Sequence, residues 1–259
     1  MSIAAPPPLG QEAAPPAGRS RGIQSVDRAM DLLRILAAAP GPLALGALSA
    51  AAGMPPSKAH RYLASFAAAG LAVQRRRSGE YDLGPLALEL GLAAMARLQL
   101  VNRAAELMPA LVSASGATAL LAVWSNAGPV IVRWERAARY TVTSLGLGSV
   151  LPLARSATGH VFLAWLPDRL TAPVLALEEP MATAPADLAD MVRKSGHAIV
   201  DGRLIPGLVA ASVPVLNWQG EAEAAITLID TQTDLIDPDG PALAALCRAG
   251  QEASVARPG

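Results

Sequence analysis

The sequence predicts an α+β chain built from two structured parts, and three observations carry that prediction. Between residues 23 and 70 the periodicity is helical, interrupted at Pro40-Gly41-Pro42, at Gly53-Met54-Pro55 and at Gly70. Two short apolar runs then flank Arg75-Arg76-Arg77-Ser78-Gly79, the composition of a hairpin with a turn-forming tip. From residue 99 onward helical stretches mix with strand-like apolar runs, the mark of an α+β domain with a largely antiparallel sheet.

The first 22 residues carry Pro6, Pro7, Pro8, Pro15 and Pro16 among alanines and read as a disordered tail. Residues 23–84 then form the first domain. A helix from Ser25 places Val26, Ala29, Met30, Leu33 and Leu36 on one face, with Ser25 as its N-cap and Asp27 in the favourable first turn. A short helix runs from Leu45 to Ala52, and a third starts at Pro56, where proline suits the first helical position, and stops at Gly70. Strands at Leu71–Val73 and Glu80–Leu83 complete a winged helix-turn-helix. Gly84-Pro85 punctuates its end.

Residues 85–98 form an Ala/Leu-rich linker helix with no hydrophilic face, as a helix buried against a partner would look. Residues 99–259 make the second domain. Its expected elements are a helix over 100–115, strands over 118–124, 130–135 and 140–145, and helices over 157–165 and 185–196. Strands over 198–201, 209–216 and 223–230 follow, with a closing helix over 238–255.

The 259 residues are 52% hydrophobic but only 3% aromatic, so the cores must be filled by Leu, Val, Ile and Ala on closely approaching helices. Formal charge is zero, which leaves any electrostatic argument to where charges lie. From Arg19 to Leu83 nine basic residues stand against four acids, a local excess of positive charge balanced by an acidic remainder. A single cysteine, Cys247, excludes an internal disulfide and a multi-cysteine metal cluster and agrees with a reducing cytoplasm. Residues 35–57 and 107–132 are uncharged, but Pro and Gly interrupt both, so neither reads as a membrane span. The N-terminus does not resemble a secretory signal.

On the third helix the 3.6-residue period turns Ala59, Tyr62, Leu63 and Phe66 inward and Ser57, Lys58, Arg61 and Ser65 outward, with His60 at the margin. Hydroxyl, ammonium and guanidinium donors at that end of a recognition helix suit phosphates and base edges, and Arg61 is the candidate for bidentate base recognition. Arg75, Arg76 and Arg77 on the wing suit phosphates or a minor groove; a merely solvated turn is the alternative. His60 is as well explained by a structural role.

Ile23-Gln24-Ser25-Val26-Asp27-Arg28-Ala29, Gly53-Met54-Pro55-Pro56-Ser57-Lys58-Ala59-His60-Arg61-Tyr62-Leu63 and Tyr81-Asp82-Leu83-Gly84 together resemble the isocitrate lyase regulator (IclR) family. Gly148-Ser149-Val150-Leu151-Pro152-Leu153, Ser156-Ala157-Thr158-Gly159, Pro206-Gly207 and Val213-Pro214-Val215 resemble that family's effector domain. The resemblance implies a GAF-like sensor, dimers formed through the DNA-binding domain and linker, frequent tetramers, and control of catabolic operons by small organic or aromatic acids. It also implies a pocket at Ala157 and Thr158, Asp201, Thr227 and Ile229, with Gly148, Ser149 and Leu151 on the near side. The sequence departs from the family at His160, where lysine is usual, at Ala210, often cysteine, and at Ile229, usually small and polar.

The amides of Ala157, Thr158 and Gly159 at a helix start suit an anion, with Thr158 adding a hydroxyl donor; alternatively Ser156 simply caps the helix. Asp201 fits a pocket residue or a surface strand end. An apolar floor at Ile229 favours a ligand with a hydrophobic portion. An enzyme with Ser156 as nucleophile lacks a Gly-x-Ser-x-Gly elbow and an orienting carboxylate. His60, His160, His197 and Cys247 show no ligand-pair spacing for zinc, so neither cofactor nor metal is expected. The expected function is a sequence-specific regulator binding double-stranded, pseudo-palindromic operator DNA. The competing reading is a winged-helix docking or structural module without specific DNA binding.

Overall fold

The computed structural model describes residues 23–75, 77–138 and 143–255. The chain divides into two compact units between Met95 and Ala96. In the first, α1 (Gln24–Ala38), α2 (Leu45–Ala51) and α3 (Pro56–Ala69) precede the antiparallel strands β1 (Ala72–Gln74) and β2 (Tyr81–Leu83) and the helix α4 (Pro85–Ala96). Leu32 and Leu36 of α1, Leu48 of α2, Ala59 and Leu63 of α3 and Tyr81 of β2 form its core. Gly70 stops α3 in the left-handed conformation, φ 80°, which costs a Cβ-bearing residue strain. Leu43, between α1 and α2, exchanges two backbone hydrogen bonds with Tyr81 and so adds a third short strand-like contact to the wing.

Two expectations for α1 are corrected. The N-cap is Ile23, not Ser25, because the Ile23 carbonyl already accepts from the amides of Val26 and Asp27. The buried stripe is Ala29, Leu32 and Leu36, whereas Val26 and Met30 are exposed. The helix carries two neighbouring apolar stripes, and its own unit covers one of them. The described α4 has no buried residue, and Leu88, Leu90 and Leu92 are all exposed.

The second unit starts with α5 (Gln99–Ser115) and is built on the strands β3 (Thr118–Ser125), β4 (Gly128–Glu135), β5 (Ala198–Asp201), β6 (Val209–Leu216) and β7 (Ala222–Asp230). Their order is β4-β3-β7-β6-β5, antiparallel throughout. Between β4 and β5 come α6 (Ala157–Trp165), α7 (Asp168–Leu175) and α8 (Pro185–Ser195); a 3-10 turn at Thr233–Ile236 and α9 (Pro241–Ala253) close the chain. Helices α5 and α9 cover one face of the sheet, and α6, backed by α8, packs on the other. The period of two sorts each strand accordingly: Leu120, Val200 and Ala225 face the α6 side, while in β6 Val213 meets Gly250 of α9.

Helix α7 was not among the expected elements. Pro167 stands at the N-cap, and Pro173 falls near the C-terminal end of this short helix. The strand expected over 140–145 is not formed at Thr143, Ser144 and Leu145, and its other residues lie outside the described ones. The closing helix begins at Pro241 rather than 238, after the Gly240 N-cap.

Gly84 permits the close approach of β2 to the end of α3. A Cβ there would overlap the carbonyl oxygens of Gly70 and Ala72, while the Gly84 amide donates to Leu71. Gly84→Ala should therefore destabilise the first unit by about 1–3 kcal/mol, the usual cost of forcing packed backbone apart. Hydrogen exchange checks it: protection should fall at Tyr81–Leu83 and stay unchanged in β3 and β7.

Candidate functional site

Two surfaces gather the chemistry expected from the sequence. The first is the N-terminal half of α3. Burial of Ala59 and Leu63, with Tyr62 and Phe66 partly covered, leaves Ser57, Lys58, His60 and Arg61 all exposed at one end of the helix. His60 therefore belongs with the outward groups, and the alternative of a partly buried structural histidine is corrected. The Lys58 ammonium lies 5.9 Å from the centre of the Tyr62 ring, which holds the charge along the helix surface. Exposed Ser65 turns its hydroxyl back to the Arg61 carbonyl at 3.1 Å, so its proton is spent on its own helix.

The wing differs from three equivalent cations. Arg75 is paired with Asp82 of β2 at 2.8 Å, and its backbone closes the hairpin through Glu80 and Gly79. The Arg75 hydrogen bond lowers the Asp82 carboxyl below its ordinary value. Arg77 is exposed at the tip, and Arg76 lies outside the described residues.

The second surface is a small apolar cavity between α6 and the sheet. Leu151, Ala157, Thr158, Thr227 and Ile229 line it as expected. Gly148, Ser149 and Asp201 do not. In β5 it is Val200 that turns toward α6, so period-two alternation sends its neighbour Asp201 to the exposed strand end. Gly148 is exposed on the loop before Val150, and Ser149 uses its hydroxyl to accept from the Gly146 amide. Leu120, Leu145, Val200 and the Leu204–Leu208 loop supply walls that the motif reading missed. Strand alternation could have found Leu120 and Val200; nothing local marks Leu145. Ala210 and Ile229 are cross-strand partners on the cavity floor. The free space is about 20 Å³, room for about one water molecule.

Close packing creates this site. A Cβ at Gly159 would overlap the Pro152 carbonyl and the Leu153 backbone, so only glycine lets α6 sit against that segment. Ser156 caps α6 by accepting from the Gly159 amide at 2.9 Å and donates to the Pro152 carbonyl at 2.6 Å. The capping alternative therefore holds for the Gly159 amide. The amides of Ala157 and Thr158 have no hydrogen-bond partner among the described residues. Glu178, beyond α7, accepts from the amides of Leu153 and Ala154 at 2.7 and 2.8 Å. Thr158, Thr227 and Ser212 then form a buried hydroxyl chain, Thr158 to Thr227 at 2.7 Å and Thr227 to Ser212 at 2.8 Å.

Residues 25–76 match the model of the IclR helix-turn-helix domain, and residues 92–254 match that of the bacterial transcriptional regulator IclR C-terminal domain. The chain belongs to the IclR family. It is a DNA-binding transcriptional regulator with an effector domain. The HTH-type transcriptional regulator BhcR of Paracoccus denitrificans is 30% identical to this regulator over 85% of the chain and 82% of its own length. The glycerol operon regulatory protein of Streptomyces griseus is 28% identical over 92% and 96%. Among solved structures, Pseudomonas aeruginosa HmgR is 36% identical, covers 90% of this chain and 98% of its own, and superposes with a TM-score of 0.71.

His160 is 3% exposed and its Nε2 lies 3.1 Å from the Ala154 carbonyl. Burial lowers its pKa below 6.5, partly opposed by that hydrogen bond. The folded state thus favours the neutral ring. The stability this contributes is present above pH 6.5 and is lost as pH falls through the lowered folded value. His160→Gln should melt with a flatter pH dependence than wild type between pH 7 and 5; superimposable slopes would contradict the assignment.

Proposed function

We propose that this regulator controls a catabolic operon by binding a pseudo-palindromic operator as a dimer or tetramer, with a small organic or aromatic acid in the α6 cavity modulating the affinity. It acts in the cytoplasm. The observation that carries the DNA half is the clustering of exposed Ser57, Lys58, His60 and Arg61 at the leading end of α3. Arg61 reads a base edge; Lys58, Ser57, His60 and the wing cations Arg75, Arg76 and Arg77 hold phosphates. Arg75 serves partly by bracing the hairpin through Asp82. The uncovered stripe of α1 and the Ala/Leu-rich α4 form the dimer contact.

The sensor half rests on the cavity. Its walls are apolar, and unbonded amides at the start of α6 suit a carboxylate. Gly148, Ser149 and Asp201 act, if the loops rearrange around a ligand, from outside the present lining. With room for about one water, the cavity must open on binding, and the Leu204–Leu208 loop is the wall best placed to move.

Mobility shift on the DNA upstream of the regulator's own and neighbouring genes tests the first half. Arg61→Ala should lose discrimination between operator and unrelated DNA by about 1–3 kcal/mol. Replacing Arg75, Arg76 and Arg77 with alanine should weaken binding to all sequences and flatten its salt dependence. Unchanged binding in both variants would refute this contact map.

For the sensor, a thermal-shift screen of organic acids should give a compound that stabilises wild type and stabilises Thr158→Val less. A screen without any such compound overturns the effector reading.

A further inference from the structure

The interior beneath the cavity holds three hydroxyls, on Thr158, Thr227 and Ser212, each at most 2% exposed. Thr158 and Thr227 line the cavity, and Ser212 does not. A hydroxyl has one proton to donate, so the direction of such a chain is set at its end. The Ser212 hydroxyl lies 3.3 Å from the Ile226 carbonyl oxygen, which can only accept, so the Ser212 proton is committed there. Thr227 must then donate to Ser212, and Thr158 to Thr227. What remains at the Thr158 oxygen is acceptor capacity, the reverse of the donor role expected of it from the sequence.

We propose that Ser212 is a positioning residue that sets the ligand preference of the cavity: it fixes the direction of the hydroxyl chain, and the site selects ligands that bring a hydrogen-bond donor to Thr158. Stated chemically, an alcohol is taken in preference to the carbonyl compound of the same skeleton. The proposal rests on the reading of this cavity as the effector site. A carbonyl or bare carboxylate oxygen at Thr158 meets another lone pair unless the whole chain reverses, and reversal breaks the Ser212 bond to Ile226. An alcohol meets no such conflict. The surrounding walls, Leu120, Leu151, Ala210 and Ile229, offer no alternative donor from their side chains.

The test uses the full-length protein and two matched pairs of acids, mandelate against benzoylformate and 4-(hydroxymethyl)benzoate against 4-formylbenzoate. Within each pair the ligands differ by two hydrogens and in whether a donor is present. Calorimetric titration of wild type should favour the alcohol by about tenfold in at least one pair, the value of one hydrogen bond made or lost. In Ser212→Ala the end of the chain is released, Thr227 is free to donate to Thr158, and the ratio should fall toward one by a gain in carbonyl binding. Thr227→Val, which removes the middle link, should flatten the ratio too, so a folding defect in one variant leaves the other to decide.

A merely structural Ser212 would weaken both ligands together and leave the ratio intact, which overturns the proposal. So does a wild-type ratio near one, or failure of all four acids to bind. The broader acid screen above, scored on other compounds, judges the effector reading separately. Neutron diffraction from deuterium-exchanged crystals checks the premise without any ligand: a deuteron on Thr158 pointing into the cavity refutes it.

Discussion

The larger unit depends on how closely the start of α6 lies on the Pro152–Leu153 segment. Backbone meets backbone there, and the absence of a Cβ at Gly159 is the condition for it. Three polar side chains hold the approach in place: Ser156 bonds the segment and caps the helix, Glu178 takes two amides, and the His160 ring meets the Ala154 carbonyl. Hydrogen bonds to an ionised acceptor such as Glu178 contribute about 1.5–3 kcal/mol each, more than neutral ones. Because the helix start is fixed, Thr158 arrives within bonding distance of Thr227 on the central strand. The site is a consequence of that seating.

Composition explains why the cavity is small. With aromatics at 3%, the face of the sheet toward α6 is packed by Ala122, Ala157, Ala164, Ala198 and Ala225, with the aromatic pair Trp124 and Phe162 nearby, ring centres 5.7 Å apart. Small side chains let layers approach, and close layers leave little space between them. The same economy recurs on the opposite face, where Gly250 of α9 lies against Val213. A ligand taken into this cavity would require displacement of a wall, and the loop between β5 and β6 is not held by regular secondary structure. This is the physical route by which occupancy can alter the rest of the unit.

The two units differ in how legible they were. The recognition helix could be read residue by residue, because Pro56 and Gly70 bracket it and the 3.6-residue period separates Ala59 and Leu63 from Ser57, Lys58 and Arg61. For α1 the same period failed to choose between two adjacent apolar stripes, since only the packing partner decides which is covered. In β5 the family motif pointed to Asp201, but alternation aims Val200 at the cavity. Helix α7 was not expected, and in the structure Pro167 stands at its N-cap and Pro173 lies within it.

The sequence by itself determined the fold class, the order of nearly every element and the residues offered at the leading end of α3, because periodicity, turn chemistry and capping act over a few neighbours. Tertiary structure alone decided that Arg75 is tied to Asp82, that Leu120 and Leu145 join Thr158 around one cavity, and that Ser212 and Thr227 complete a hydroxyl chain with it. Thr158 and Thr227 alone lie 69 residues apart along the chain. No local signal links them; strand register and the seating of α6 do.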